Sequence, residues 1–422
     1  MQAEITPSVA GAATKAKLLA SALAAAWFLS YCDRVNLSVA AIAMQAEFGW
    51  TETTKGWVMG SVFVGYIASQ LAGGALVLRF GAAPVVSLGV IGFSVATLAT
   101  PAAASHSLAL LITVRIILGA FEGVVIPATY SLVGSWAGAN ERARLIAIVA
   151  SGATLGAPGG LMASGFLAAS VGWQAVFYVF GGLGFVWGLL WIVITGKGIQ
   201  RKPSTSGQES SRPKRAAGAR ASLQRFLTHP ALWAAAVAKF GLNWIVYVFI
   251  AWLPSYYSAT QGAAITTSAV LSALPWISMT LMLHMSALRA DRMLVSGIDP
   301  TLVRKIMQSI GIGGGVVFLL LAPFATSPLL AVTFTCAATG FLAFCFSGAD
   351  AAMLDMAVRY RGLVGGFANA LGNFPGIIAI PLIGWSIDAT GSYSAGFVCS
   401  AVVGLASLGM WLRYGTAKQI FE

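Results

Sequence analysis

Twelve apolar segments, each long enough to cross a bilayer, divide this chain. They run near 18–46, 56–78, 83–101, 108–133, 143–169, 173–195, 231–257, 267–289, 306–325, 328–352, 362–387 and 393–412. A spanning helix needs about 20 apolar residues, whereas a barrel strand alternates polar and apolar over about 10. The unbroken runs here fit helices. No soluble core could use so much apolar sequence: of 422 residues 58% are apolar and only 9% charged. A soluble chain carries roughly 25% charged residues. Such a surface would aggregate in water, and the same composition excludes disorder. The fold class is all-α, a membrane protein of twelve transmembrane helices.

The long hydrophilic stretch, 196–229, is rich in Ser, Gly, Pro, Lys and Arg and reads as a flexible linker. It separates a first bundle of six helices (1–195) from a second (230–422). Basic residues fall almost wholly on one side of this topology. Lys15, Lys17, Arg79, Arg142, Arg144, Arg289, Arg292, Arg304, Lys305, Arg359, Arg361, Arg413 and Lys418 join the linker cations there, and Lys55 stands alone on the other. By the positive-inside rule both termini and the linker face the cytoplasm or its topological equivalent. The net charge of +12 is then a topological label that attracts anionic membrane lipid. Nucleic acid is not expected, because the linker has almost no aromatic residues on which bases could stack. Met1–Lys17 shows no cleavable signal. Cys32, Cys336, Cys345 and Cys399 are scattered through apolar runs without a CxxC, so neither a disulfide framework nor a metal site is expected.

The two halves resemble each other. RLIAIVASGATLGAPGG from Arg144 aligns without a gap on RGLVGGFANALGNFPGI from Arg361, placing Pro158 on Pro375. Internal repetition at half the chain length is the signature of two pseudo-symmetric six-helix bundles with a binding site near the membrane midplane.

A charge in the membrane interior costs at least about 2.5–3.5 kcal/mol and marks a pathway by default. Span 1 carries Asp33 and Arg34, span 4 Arg115 and Glu122, span 7 Lys239, and span 10 Asp350 near its end. Arg115 and Glu122 lie seven apart on one helix stripe, with Gly119 between them. Asp33 is turned about 100° from Arg34, so its partners lie on other helices. Arginines facing one cavity repel unless an anion or carboxylate lies between them, and guanidinium matches carboxylate and phosphate geometry. A small anionic substrate is therefore expected. Glu122, balanced between desolvation and a nearby arginine, is suited to load and release a proton. The alternative for Asp33 and Glu122 is a permanent structural ion-pair network. Lys239, Asn243 and Tyr247 form one stripe of span 7, either a polar cavity wall or a snorkelling lysine above packing polars. Tyr66 with Gln70, and Asn369 with Asn373, are ligand contacts or interhelical hydrogen bonds. Asp350 is read as a hydrated helix end.

This architecture resembles that of the major facilitator superfamily. Its loop motif between spans 2 and 3 is partial here, with Leu78 in place of the acid before Arg79; the second half keeps Asp291-Arg292. DRVNLSVA at Asp33, FVGYIASQLAGG at Phe63, RIILGAFEGVVIPA at Arg115, WLPSYY at Trp252 and NALGNFPGI at Asn369 resemble the anion:cation symporter branch of that superfamily. LPW at Leu274 and VRKIMQ at Val303 lean toward its plant plastid phosphate members. The resemblance implies that Arg34 and Arg115 contact the substrate anion, that Glu122 with Asp33 carries the coupling proton, and that Tyr66 and Asn369 line the cavity. Ala352 and Met353 depart from the branch, where many relatives carry an Asn-His pair before the acid matching Asp355.

Together these features predict a secondary active transporter of a small inorganic or organic anion, of the phosphate or carboxylate class, with no cofactor beyond a coupling proton or sodium ion. It is read as a monomer in a bacterial inner membrane or a plastid or other organelle membrane. The rivals are a uniporter or a non-transporting anion sensor of the same fold. A membrane enzyme is disfavoured, since no HExxH, GxSxG or paired-acid motif is present.

Overall fold

A computed structural model describes residues 9–136, 141–196, 228–356 and 361–420. Among these residues the regular structure is helical throughout, with no strand. The helices are α1 (Val9–Phe48), α2 (Glu52–Phe80), α3 (Ala82–His106), α4 (Leu108–Gly123), α5 (Val125–Trp136), α6 (Arg142–Ser170) and α7 (Trp173–Gly196). After the linker come α8 (Pro230–Gln261), α9 (Ile265–Val295), α10 (Pro300–Leu321) and α11 (Pro328–Leu342). They are followed by α12 (Ala351–Met356), α13 (Arg361–Asn373), α14 (Pro375–Thr390) and α15 (Tyr393–Tyr414). Eleven helical stretches are long and apolar enough to cross a membrane, and a twelfth is α2, bent by 52° between Gln70 and Ala72. Every predicted span finds its helix, with ends shifted by a few residues. Phe166, Val193 and Leu281 stand exposed along these helices, as a lipid-facing surface requires. Most of the linker and Arg359 lie outside the described residues.

Besides the bent α2, three further spans are interrupted among the described residues. Span 4 interrupts between α4 and α5 at Val124, and span 11 between α13 and α14 at Phe374, just before Pro375. Span 10 passes through a π turn at Phe346–Asp350, where Gly348 leaves helical geometry (φ −90°, ψ −111°). Such interruptions are tolerated at membrane depth only where other groups re-satisfy the backbone. Gln308 does this, its Oε1 accepting from Ala349 N at 3.1 Å.

By packing, the described residues divide into two units. The first holds those within Met1–Asn36, Val64–Gly160 and Gln174–Ser204; the second holds those within Leu37–Phe63, Leu161–Trp173 and Thr205–Glu422. In the first unit, α6 lies on α1 through Gly152, Gly156 and Gly160, spaced four apart. A Cβ on Gly156 would fall 2.6 Å from Phe28 O, and one on Gly160 2.7 Å from Cys32 Cα. Lipid supplies no hydrophobic drive between helices, so close backbone approach over small residues must supply the packing. Gly65 of α2 meets the backbone of Ile116 and Ala120 on α4, and Gly123 of α4 meets the backbone of Tyr66. With Cys32 facing α6, Asp33 and Arg34 turn toward α3 and α4.

Gly156→Val should lower the melting temperature of the detergent-solubilised protein, by the 1–3 kcal/mol typical of overpacking (about this range). Gly182→Ala, where an added Cβ meets nothing within 4 Å, should leave it unchanged. Equal melting temperatures for the two variants would contradict this packing.

Candidate functional site

The buried stripe of α4 runs Leu111, Arg115, Leu118, Gly119 and Glu122. Its periodicity is that of an ordinary core face, but two of its members are charged. Both are almost wholly removed from solvent, Arg115 at 1% and Glu122 at 2% exposure, and Asp33 on α1 is at 1%. Arg34 Nε donates to Glu122 Oε1 at 2.6 Å. Ser30, one turn before Arg34, donates to the same oxygen. The Arg34 guanidinium carbon lies 4.5 Å from the Tyr66 ring centre and 5.0 Å from that of Tyr31. Two aromatic faces thus share the guanidinium with one carboxylate.

Asp33 points elsewhere, as its helical position requires. Thr97 Oγ1 donates to its Oδ2 at 3.1 Å, and Asn36 Nδ2 to its Oδ1 at 2.9 Å. Arg115 faces both carboxylates electrostatically. Its Nε and Nη1 have no hydrogen-bond partner among the described residues. A buried guanidinium with idle donors is costly unless an acceptor reaches it. The cluster as a whole carries two cations and two carboxylates, and its formal charge is zero.

In the second unit, Lys239, Asn243 and Tyr247 lie along one face of α8. Lys239 Nζ pairs with Asp350 Oδ2 at 2.6 Å. Asn243 Nδ2 donates to Gly372 O at 2.7 Å, and Tyr247 OH to Asn373 Oδ1 at 2.5 Å. Asn373 Nδ2 donates to Asn369 O at 2.8 Å. The second-unit site residues are therefore brought together, with Asn243, Tyr247 and Asn373 tied in interhelical or helix-backbone bonds. Asp350 is a partnered residue, not a hydrated helix end; nothing in the span pattern announces the turn that carries it. Ala352 and Met353 are buried in an apolar cluster with Ala235 and Ala238, so an apolar wall fills the position of the missing polar pair.

A second network was not foreseen. Lys55, counted as the lone cation of the opposite face, is 1% exposed. Its ammonium meets Glu52 Oε2 at 2.5 Å, Gln45 Oε1 at 2.7 Å and Ser255 Oγ at 3.2 Å, and lies 5.0 Å from the Trp252 ring centre. Asp388 caps the start of α2, accepting from Glu52 N at 2.9 Å, Thr53 N at 2.8 Å and Thr53 Oγ1 at 2.5 Å. A carboxylate at a helix N-terminus satisfies the free backbone donors there. These contacts hold the hairpin formed by the end of α1 and the start of α2 within the second unit.

The profile of the Major Facilitator Superfamily matches residues 23–302. The chain belongs to that superfamily. It is 34% identical to a protein named probable anion transporter 4, chloroplastic, from Oryza sativa subsp. japonica, over 94% of this chain and 68% of that one. It is 33% identical to the chloroplastic ascorbate transporter of Arabidopsis thaliana, covering 94% and 74% of the two chains. Sodium-dependent phosphate transport protein 1, chloroplastic, from the same plant, is 34% identical over 94% and 78%. The fold matches that of a bacterial homolog of the human lysosomal transporter Spinster, inward-facing and unoccupied (TM-score 0.77, 15% identity, 94% and 97% coverage). It also matches a D-xylose-proton symporter (TM-score 0.75, 15% identity, 97% and 100% coverage). The chain is a multi-pass membrane transporter, and its relatives are anion and phosphate transporters, as the LPW and VRKIMQ segments indicated.

Asp388→Ala should loosen the α1–α2 hairpin by about 1–2 kcal/mol, the worth of a helix cap. In a background without the four native cysteines, a cysteine replacing Ser255, which is 3% exposed, should then react with a membrane-impermeant thiol reagent about tenfold faster. An unchanged labelling rate would show that the cap does not hold the hairpin.

Proposed function

We propose that this transporter moves a small inorganic or organic anion, of the phosphate or carboxylate class, by alternating access and driven by a proton or sodium gradient. The observation that carries the reading is the neutral, buried Asp33–Arg34–Arg115–Glu122 cluster. An anion entering it unaccompanied would leave a net negative charge in a low-dielectric interior, which is strongly disfavoured. A proton on Glu122 removes that obstacle. It weakens the hold of Glu122 on Arg34, frees the guanidinium fork for the anion, and keeps the charge balanced. Arg115, with two idle donors, supplies the second contact. Anion and proton then enter as a pair and leave as a pair, which is coupling.

Sodium could play the same part, since the carboxylates of Asp33 and Glu122 are joined there by the hydroxyls of Thr97 and Ser30, all hard oxygen donors. The relative named as a sodium-dependent phosphate transport protein motivates testing both ions. In this reading Lys239, Asn243, Tyr247, Asn369 and Asn373 form the polar wall contributed by the second half, and Tyr66 orients Arg34. Each half, 1–195 and 230–422, moves as a body in this cycle, and the termini face the cytoplasm-equivalent side. The chain works as a monomer, in a bacterial inner membrane or a plastid or other organelle membrane.

Purified protein in liposomes should concentrate at least one of phosphate, ascorbate, glutamate or a sugar acid when a pH or sodium gradient is imposed. Glu122→Gln should abolish concentrative uptake while retaining exchange of internal for external anion. Arg34→Ala should weaken anion affinity by about tenfold to a hundredfold, the worth of a charged hydrogen bond of about 1.5–3 kcal/mol. Gradient-driven accumulation that survives Glu122→Gln would remove the proton role. Uptake indifferent to either gradient would make the protein a uniporter.

A further inference from the structure

Each half of the chain contains one cation–carboxylate pair between its first and fourth spans. Arg34 of span 1 pairs with Glu122 of span 4; Lys239 of span 7 pairs with Asp350 of span 10. The pairs are not at equivalent positions. Arg34 lies 18 residues beyond the start of its span at Ala16, whereas Lys239 lies 9 beyond Pro230. Glu122 lies 14 residues beyond Leu108, whereas Asp350 lies 22 beyond Pro328. First and fourth spans run in opposite directions, so both displacements point the same way. Within its own half, the second pair sits about 12–14 Å nearer the face with the basic loops, at 1.5 Å per residue.

We propose that Asp350 is an internal competitor for the Lys239 ammonium, so that the Lys239–Asp350 pair and anion binding at Lys239 exclude one another. The proposal rests on the anion reading above and adds Asp350 to it as a positioning residue. The geometry supports exchange over permanent pairing. The Lys239 and Asp350 side chains keep 16% and 18% exposure, so a solute can reach them, unlike Asp33 or Glu122. Asp350 engages a single ammonium donor of Lys239, and among the described residues the ammonium has no other hydrogen-bond partner. A lysine ammonium is a mobile point charge with three donors, not a fixed fork. The nearby Arg304–Asp355 pair shows the contrasting, anchored design. There Arg304 Nε and Nη2 meet Asp355 Oδ2 at 3.0 and 2.9 Å while Nη1 donates to Ser347 O at 3.0 Å.

The Lys239 stem is seated on the backbone of span 11, which leaves its ammonium end to choose between partners. Gly372 has no side chain where a Cβ would fall 2.6 Å from Lys239 Cγ and 3.2 Å from Asn243 Nδ2. The Lys239 stem and the Asn243 amide thus pack directly on the Gly372 backbone, with Asn243 Nδ2 donating to Gly372 O at 2.7 Å. Asp350 closes the π turn Phe346–Asp350, where Gly348 already departs from the helix. The carboxylate can therefore swing away without unwinding a regular helix, and π turns recur at functional sites for this reason.

The test is equilibrium binding, read as thermal stabilisation by inorganic phosphate, ascorbate and glutamate. An anion that must displace Asp350 binds more weakly by the fraction of time the pair is open. If the pair is closed about nine-tenths of the time, Asp350→Asn should bind the stabilising anion about tenfold tighter. Adding Lys239→Gln should erase that gain. Unchanged or weaker affinity in Asp350→Asn, with Arg34→Ala still weakening binding about tenfold to a hundredfold, would overturn the proposal and leave the anion reading intact. Failure of all three anions to stabilise both the wild type and Asp350→Asn would overturn both. If Asp350→Asn does not fold, the reversed pair Lys239→Asp/Asp350→Lys decides. The expected result is a restored melting temperature with about tenfold weaker anion binding, since the ammonium now rides on span 10; wild-type affinity in the reversed pair would show a merely structural tie.

Discussion

Charge balance in a low-dielectric interior is the constraint on which this structure turns. Asp33, Arg34, Arg115 and Glu122 are tolerable inside a bilayer only because they cancel, and they cancel only in this arrangement. Removing one partner of such a pair typically costs about 3–5 kcal/mol, because the other charge is left buried and uncompensated. The same arithmetic makes the cluster useful. A site that is neutral when empty admits an anion only together with a cation. On the proposed reading, coupling needs no moving relay; it follows from electroneutrality, with Arg34 changing its partner from Glu122 to the substrate.

Small residues hold the charges in register. Gly152, Gly156 and Gly160 press α6 onto the face of α1 that carries Phe28 and Cys32. This leaves the remaining face for Asp33 and Arg34. Gly65 and Gly123 bring α2 and α4 close enough for the Tyr66 ring to cover Arg34. Where α2 begins, the chain is bound differently. Lys55, Glu52 and Asp388 tie the α1–α2 hairpin into the second unit through polar contacts.

Much of this was legible in the chain because the signals are local. Span positions follow from runs of apolar residues, and the Arg115–Glu122 stripe follows from helical periodicity within one segment. The direction of Asp33 away from Arg34 was likewise a matter of 100° per residue. What it would meet was not, since Thr97 lies 64 positions away with no local signal. Lys55 looked like an interfacial charge because it sits at a span end, and only tertiary packing puts Ser255 and Trp252 over it. Asp350 was misjudged for a similar reason. The π turn places it against Lys239, and the one hint in the sequence was Gly348 two residues before it. The assignment of residues 37–63 to the second unit depends wholly on contacts made far along the chain.

The central claim of the proposed reading is that an anion enters this neutral cluster only with a compensating cation, and in its proton form that cation sits on Glu122. Adding the transported anion to purified protein in weakly buffered detergent solution tests it without any membrane or gradient. The account requires about one proton taken up per anion bound in the wild type, and none in Glu122→Gln. Anion binding with no proton uptake in the wild type would contradict it.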